Sequence, residues 1–324
     1  MKKTNYRIVF TEREKAVLEA VPLPLPLTGK NVLAKTLYSW VSAGTETTGI
    51  YCGAHYSVSY PAYPGYCSLS QVVEVGPEVE DLKPGDIVLG GKHTAWQCLE
   101  ESQFNRIDPG LDLRNATFIH MFKIPLPALI RSKITAPEKC VVTGLGLVGL
   151  CAAQLAQMFG YEVYGYDVNP KRRALAEHYN IPTVDSISEE TFGKSVGLGI
   201  DCSGHENAVL DLSKIIRRFG ELTLVGVPWK RNSDLYAQSI LHSVFYNFLT
   251  LTSGWECDMP GHPEIFNNRN FELTTMRGMQ NGFLRINEGD YELVTPEDPQ
   301  QIYQNILHNK MSGLGYMIDW RNCE

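Results

Sequence analysis

The pattern of hydrophobic and polar positions changes period near residue 117. Before it, short apolar runs are cut at close intervals by Pro22, Pro24, Pro26, Gly29, Pro77, Pro84 and Gly85, which predicts strands over 6–10, 15–20, 31–38, 70–75 and 86–89. That is the pattern of an irregular β domain. Beyond it, helical and extended patterns alternate. Helices are expected over 126–133, 150–158, 172–179 and 206–219, and strands over 140–143, 162–166, 196–201, 221–227 and 248–253. Such alternation indicates βαβ units and a parallel sheet. A last helix over 300–308 and strand over 316–320 form a piece free to return to the first domain. The expected fold class is α/β, a doubly wound parallel Rossmann sheet plus an irregular β domain, divided at 1–116, 117–282 and 283–324.

One segment adds chemistry to this outline. Residues 141–149 read Val-Val-Thr-Gly-Leu-Gly-Leu-Val-Gly, a short strand running straight into Gly-x-Gly-x-x-Gly. Gly144 allows the tight turn, Gly146 lets the backbone approach a pyrophosphate, and Gly149 lets the next helix pack on the sheet. The first N–H groups of that helix, at Leu147 and Val148, then face the phosphates. The following strand ends in Asp167, about 20 residues beyond the glycines, where a carboxylate accepts hydrogen bonds from the adenosine ribose. A carboxylate repels a 2′-phosphate, so NAD is expected over NADP. Val168 and Arg172 are expected at the outer edge of the adenosine, and Cys202, Ser203, Gly226 and Val227 towards the nicotinamide. Lys171, Arg172 and Arg173 otherwise read as a solvated helix face.

Composition narrows the partners. The 324 residues suit two domains, and a formal net charge of -7 gives no basic footprint for nucleic acid. The first residues carry no apolar signal core, so a cytoplasmic protein without a membrane partner is expected. Eight cysteines are scattered with no Cys-x-x-Cys pair, which favours buried thiols over a disulfide or zinc framework.

Together these stretches resemble the medium-chain dehydrogenase/reductase superfamily. The likeness is carried by Pro64-Gly65-Tyr66-Cys67 with the strand after it, Lys83-Pro84-Gly85-Asp86-Ile87-Val88, Ile200-Asp201-Cys202-Ser203-Gly204 and Gly220 to Gly226, in the family's order. It implies a GroES-like first domain and a homodimer formed through edge strands of the Rossmann sheet. It also locates the places where zinc-dependent members hold their catalytic metal. Ala43 stands at the first ligand, Tyr66 at the second, Cys67 beside it, and the third falls near His120. Alanine cannot ligate and a neutral phenol is a poor zinc ligand, so no metal is expected. Glu46, Cys67, His93 and His120 are the residues able to rebuild a site by other means. Ser42 to Glu46, Tyr63 to Tyr66 and the ending Met317 to Arg321 are most similar to the bacteriochlorophyllide a dehydrogenase-like branch, a likeness of motifs that does not carry the substrate.

Without a Lewis acid, a hydroxyl or imidazole must serve the reacting oxygen. The resemblance makes Thr45 the residue that hydrogen-bonds the substrate oxygen. Tyr66 is placed to polarise a carbonyl or simply to fill the metal volume. His120 is a candidate acid or base, or a structural histidine, and Glu46 a residue that couples to either or faces solvent. His93 reads as structural. Trp40, Tyr51, His55, Tyr56, Trp96 and Trp229 are candidate pocket aromatics or core. The expected function is a zinc-independent, NAD-dependent oxidoreductase acting on a hydroxyl or carbonyl of a small-molecule metabolite. An NADPH-type enoyl or quinone reductase and a non-catalytic NAD(H)-binding sensor are the alternatives.

Overall fold

The computed structural model describes residues 4–23, 25–55, 57–256 and 268–323. Pro24, Tyr56 and Cys257 lie outside the described residues. The chain forms two compact units, Met1–Ile119 with Arg285–Glu324, and His120–Leu284.

In the first unit, β1 (Thr4–Glu12) and β2 (Lys15–Pro22) make an antiparallel hairpin. The central strand is β3 (Asn31–Trp40), paired antiparallel with β4 (Ser68–Val75). Then come β5 (Ile87–Leu89), β6 (Trp96–Glu100) and β7 (Asn105–Arg106), with β6 returning to pair β3. Between β3 and β4 the chain takes a π-helical turn over Ala43–Tyr51 that no periodicity announced. The Cys52 amide donates to the Thr47 carbonyl at 2.8 Å, the wider i→i+5 bond of such turns, which concentrate at functional sites. Short helices α1 (Leu113–Ala116) and α2 (Ile119–Lys123) lead towards the second unit.

The second unit contains α3 (Leu126–Arg131), β8 (Lys139–Thr143), α4 (Leu147–Met158), β9 (Glu162–Tyr166) and α5 (Pro170–Glu177). It continues with α6 (Glu189–Phe192), β10 (Val196–Asp201), α7 (Glu206–Ile215), β11 (Ile216–Leu224), α8 (Ala237–Asn247), β12 (Thr250–Ser253) and α9 (Asn268–Gln280). The strands form one parallel sheet in the order β12-β11-β10-β8-β9. Every residue of β10 is buried, as expected of a strand covered on both faces.

Two expectations need correction here, and one helix is new. The helix foreseen over 206–219 stops at Ile215, and Ile216 to Phe219 already belong to β11. The Arg217 guanidinium holds both oxygens of Glu138 at 2.7 and 2.8 Å, which ties this stretch to the start of β8. The consecutive isoleucines had prolonged the helical period. The strand foreseen over 221–227 ends at Leu224. Helix α8 went unforeseen because its apolar residues do not form one buried stripe; Leu241, Phe245 and Tyr246 are all exposed.

The end of the chain rejoins the first unit through β13 (Glu292–Val294), α10 (Pro299–Leu307) and β14 (Tyr316–Asp319). Strand β14 pairs antiparallel with β3. Asp298 caps α10 through the Gln301 amide with Pro299 in the first turn, and Gln300 accepts the Ala16 amide at 2.7 Å. Phe10, Tyr51, Tyr303 and Trp320 meet in the resulting core. Among the described residues no helix is long and apolar enough to cross a membrane.

Candidate functional site

Two groups of sequence-predicted residues assemble, one in each unit. In the second unit the glycine turn joins β8 to α4. Gly144 has φ of +79°, and a Cβ on it would lie 2.7 Å from the Ser203 backbone. A Cβ on Gly149 would lie 1.8 Å from the Gly144 carbonyl oxygen, so helix and turn touch backbone to backbone. At Gly146, the residue preceding α4, a Cβ would meet nothing within 4 Å. The glycine nearest the first turn of the helix is thus the one with open space before it, the room a pyrophosphate would need beside the first amides of the helix.

The turns after β10 and β11 close around the same place. A Cβ on Gly226 would lie 2.4 Å from the Gly204 amide and 2.6 Å from the Cys202 carbonyl carbon. Their organiser is Asp201, a residue the sequence reading quoted but gave no role. Its carboxylate accepts the Thr143 hydroxyl at 2.8 Å, the Ser203 hydroxyl at 2.6 Å and the Gly204 amide at 3.0 Å. The Ser203 hydroxyl is therefore committed to Asp201, while its backbone packs on Gly144. Burial pushes the Cys202 thiol well above its ordinary range, with the Asp201 charge adding to it. Val227 stays exposed beyond Gly226.

Asp167 is buried at the end of β9. One carboxylate oxygen accepts the Leu145 amide at 2.8 Å and the other the Asn169 amide at 2.8 Å, so it ties the glycine turn to the next strand. Val168 beside it is 82% exposed. The neighbouring cations are not merely a solvated face: Arg172 approaches Asp167 at 3.5 Å, and Arg173 binds the Asp167 carbonyl and Asp185, each at 2.7 Å.

In the first unit the π-helical turn carries Thr45 and Glu46. The Ser42 and Thr45 side chains both hydrogen-bond the Tyr66 phenol, so Thr45 and Tyr66 do come together, with Ser42 as a third hydroxyl that the sequence reading missed. Burial pushes the phenol well above its ordinary range, followed by the Cys67 thiol and the Glu46 charge. The Ser42 and Thr45 hydroxyls act the other way, hydrogen-bonding the phenol oxygen and lowering it. Glu46 does not face solvent: it is buried, accepts the Ser42 amide at 3.0 Å, and contacts His93 and Tyr303, each at 2.8 Å.

His120 belongs to the second unit and is corrected as a neutral-pH acid. Burial, then the Lys123 charge, lowers it to about 3, so its imidazole is neutral at physiological pH. Trp40 and Tyr51 are core residues: Trp40 packs on Phe118 with ring centroids 4.9 Å apart, and Tyr51 stacks on Tyr303 at 5.4 Å. Trp96 packs against the same core, and the His55 ring bonds the Ser57 hydroxyl at 2.8 Å. Ala43 offers no ligand atom, and among the described residues no three of His, Cys, Asp or Glu are grouped to hold a metal ion.

Residues 148–254 match the family model described as "Zinc-binding dehydrogenase". Over those residues the chain is similar to the zinc-binding dehydrogenases. It is 27% identical to the L-galactonate-5-dehydrogenase of Escherichia coli (strain K12) over 244 residues, covering 63% of this chain and 71% of that protein. In fold it is similar to galactitol-1-phosphate dehydrogenase from Escherichia coli, with a TM-score of 0.82 at 19% identity over 97% of this chain and 99% of the other. A Sinorhizobium meliloti 1021 chain described as a putative zinc-binding dehydrogenase bound to NADP aligns with a TM-score of 0.80 at 17% identity, over 98% of this chain and 100% of the other. The parallel sheet beside an antiparallel β domain is the arrangement these dehydrogenases share.

Proposed function

We propose that this chain is an NAD(H)-dependent oxidoreductase of the medium-chain dehydrogenase type, acting on a sugar- or polyol-derived metabolite without a catalytic zinc. The observation that carries the reading is the Tyr66 phenol, held by Ser42 and Thr45 at a place where zinc-dependent members have a metal ligand. The substrate class rests on the relatives named for galactonate and galactitol phosphate chemistry. The likeness to bacteriochlorophyllide a dehydrogenase-like proteins is confined to short motifs and adds no substrate.

When bound, the nicotinamide cofactor supplies or accepts the hydride. The chain's part at that end is to hold pyrophosphate at Gly146, Leu147 and Val148 and the adenosine ribose at Asp167. The Asp167 carboxylate supports NAD, because it would repel a 2′-phosphate. In the first unit Tyr66 donates a hydrogen bond to the carbonyl oxygen, and Ser42 and Thr45 keep that phenol oriented. A phenol that keeps its proton can hydrogen-bond the carbonyl oxygen and protonate the alkoxide formed when the hydride arrives. We further infer a homodimer, supported by the edge strand β12 and the exposed Leu241 and Phe245 on α8.

The test is turnover of NADH with keto-sugar acids and ketoses by Tyr66→Phe and Thr45→Val. Both should lose about 10²-fold or more in kcat, the usual scale of a positioned proton donor, while NADH affinity stays within twofold. Unchanged turnover in both removes them from the reaction.

A further inference from the structure

A chain of buried hydrogen bonds stands behind the Tyr66 cluster. The Trp320 indole N–H donates to the Ser39 hydroxyl at 2.8 Å. The same hydroxyl lies 2.7 Å from His93 Nδ1, and His93 Nε2 lies 2.8 Å from Glu46 Oε2. The Tyr303 hydroxyl donates to that oxygen at 2.8 Å, and the Ser42 amide to Oε1 at 3.0 Å. Three groups thus converge on the Glu46 side chain. Trp320, Ser39, His93, Glu46 and Tyr303 are all at most 1% exposed.

His93 also touches the Tyr66 segment by a second route. Its amide donates to the Pro64 carbonyl at 3.1 Å, and a Cβ on Gly65, whose φ is +101°, would lie 2.4 Å from the His93 nitrogen. The segment entering Tyr66 thus lies directly on His93, while the turn bearing Ser42 and Thr45 hangs from it through Glu46.

We propose that His93 is a positioning residue: oriented by Ser39 and Trp320, it fixes the Glu46 carboxylate on the Ser42 amide and so holds the two hydroxyls that bind the Tyr66 phenol. The inference rests on Tyr66 being the group that meets the substrate oxygen. The Glu46 charge contributes to keeping that phenol protonated. A buried carboxylate that loses one of its donors is costly and turns or takes up a proton. Either outcome releases Ser42 and weakens the charge felt by Tyr66.

The test uses full-length protein with tyrosines labelled at Cζ, the Tyr66 resonance being assigned from Tyr66→Phe. In the native chain this resonance should not titrate below about pH 10, the ordinary tyrosine value. In His93→Phe and in Glu46→Gln its chemical shift should move away from the native position. His93→Gln, whose amide nitrogen can reach Glu46 as Nε2 does, should return it most of the way. NADH affinity should stay within twofold throughout. Ser39→Ala is the milder variant and decides the matter if His93→Phe does not fold. A Tyr66 resonance indistinguishable from native in folded His93→Phe, or in Ser39→Ala where that variant decides, overturns the inference. Silent turnover in Tyr66→Phe instead sinks the catalytic reading and leaves the link from His93 to Tyr66 standing.

Discussion

The Gly149 Cα faces the Gly144 carbonyl so closely that an added Cβ would sit 1.8 Å from that oxygen. Backbone has no rotamer with which to give way, so Gly149→Ala must displace the turn. A loss of about 1–3 kcal/mol, the usual cost of overpacking, is expected together with weaker NADH binding. Gly146→Ala has room for its methyl and should keep the native Tm while weakening NADH, because the methyl occupies the space before the helix. Thermal melts and NADH fluorescence titrations check the pair, and full NADH affinity in Gly146→Ala would contradict the assigned phosphate site.

Asp167 is expected to select the cofactor. Native protein should bind NADH more tightly than NADPH. Asp167→Asn should lose about 10-fold or more in NADH affinity, the scale of a hydrogen bond to a charged group, and narrow the gap to NADPH. Tighter NADPH binding by native protein would turn the proposal over to the phosphorylated cofactor.

His120 carries a pH signature of definite sign. Its imidazole is lowered to about 3 in the folded chain, whereas the unfolded chain takes up the proton near the ordinary 6.5. Between these values the unfolded state binds more protons. The stabilisation is therefore complete above about pH 6.5 and is lost progressively as pH falls towards 3, at up to about 1.4 kcal/mol per unit. Denaturant melts at pH 7.5, 5.5 and 4.5 should find the native chain weakening faster than His120→Gln. Parallel curves would remove the effect. No limb of a turnover profile near neutrality should vanish in His120→Gln.

Metal analysis is expected to find far less than one zinc per chain after purification in zinc-containing medium, and chelation should leave turnover unchanged. A stoichiometric zinc, lost together with activity on chelation, would refute the metal-free mechanism.

Light scattering should give twice the chain mass at micromolar concentration. Phe245→Glu on the exposed face of α8 should shift the chain towards monomer without lowering secondary structure. A native monomer would leave β12 and α8 without the proposed partner.

Much of the second unit was legible along the chain. The order strand, Gly-x-Gly-x-x-Gly, apolar helix, strand and Asp is written in consecutive residues, and each step is local. Helix α7 was overextended because Ile215 and Ile216 continue an apolar period, whereas in the fold Ile216 already pairs with Val196 of β10 and Arg217 grips Glu138. In the first unit the strands were visible but the π-helical turn was not. Its hydrogen-bond pattern leaves no hydrophobic period, and Thr45 and Glu46 were placed by resemblance alone.

The sequence by itself determined the parallel α/β sheet, the glycine turn and the acidic residue beside it. These follow from neighbours in the chain or from single side chains. Only the tertiary structure decided what Glu46 and His93 do. Glu46 is joined to Tyr303 across 257 positions, and His93 to Ser39 across 54, by bonds with no local pattern. The physical reason is burial: sealed from water, a carboxylate and an imidazole need partners, and folding brings those partners from β3 and α10.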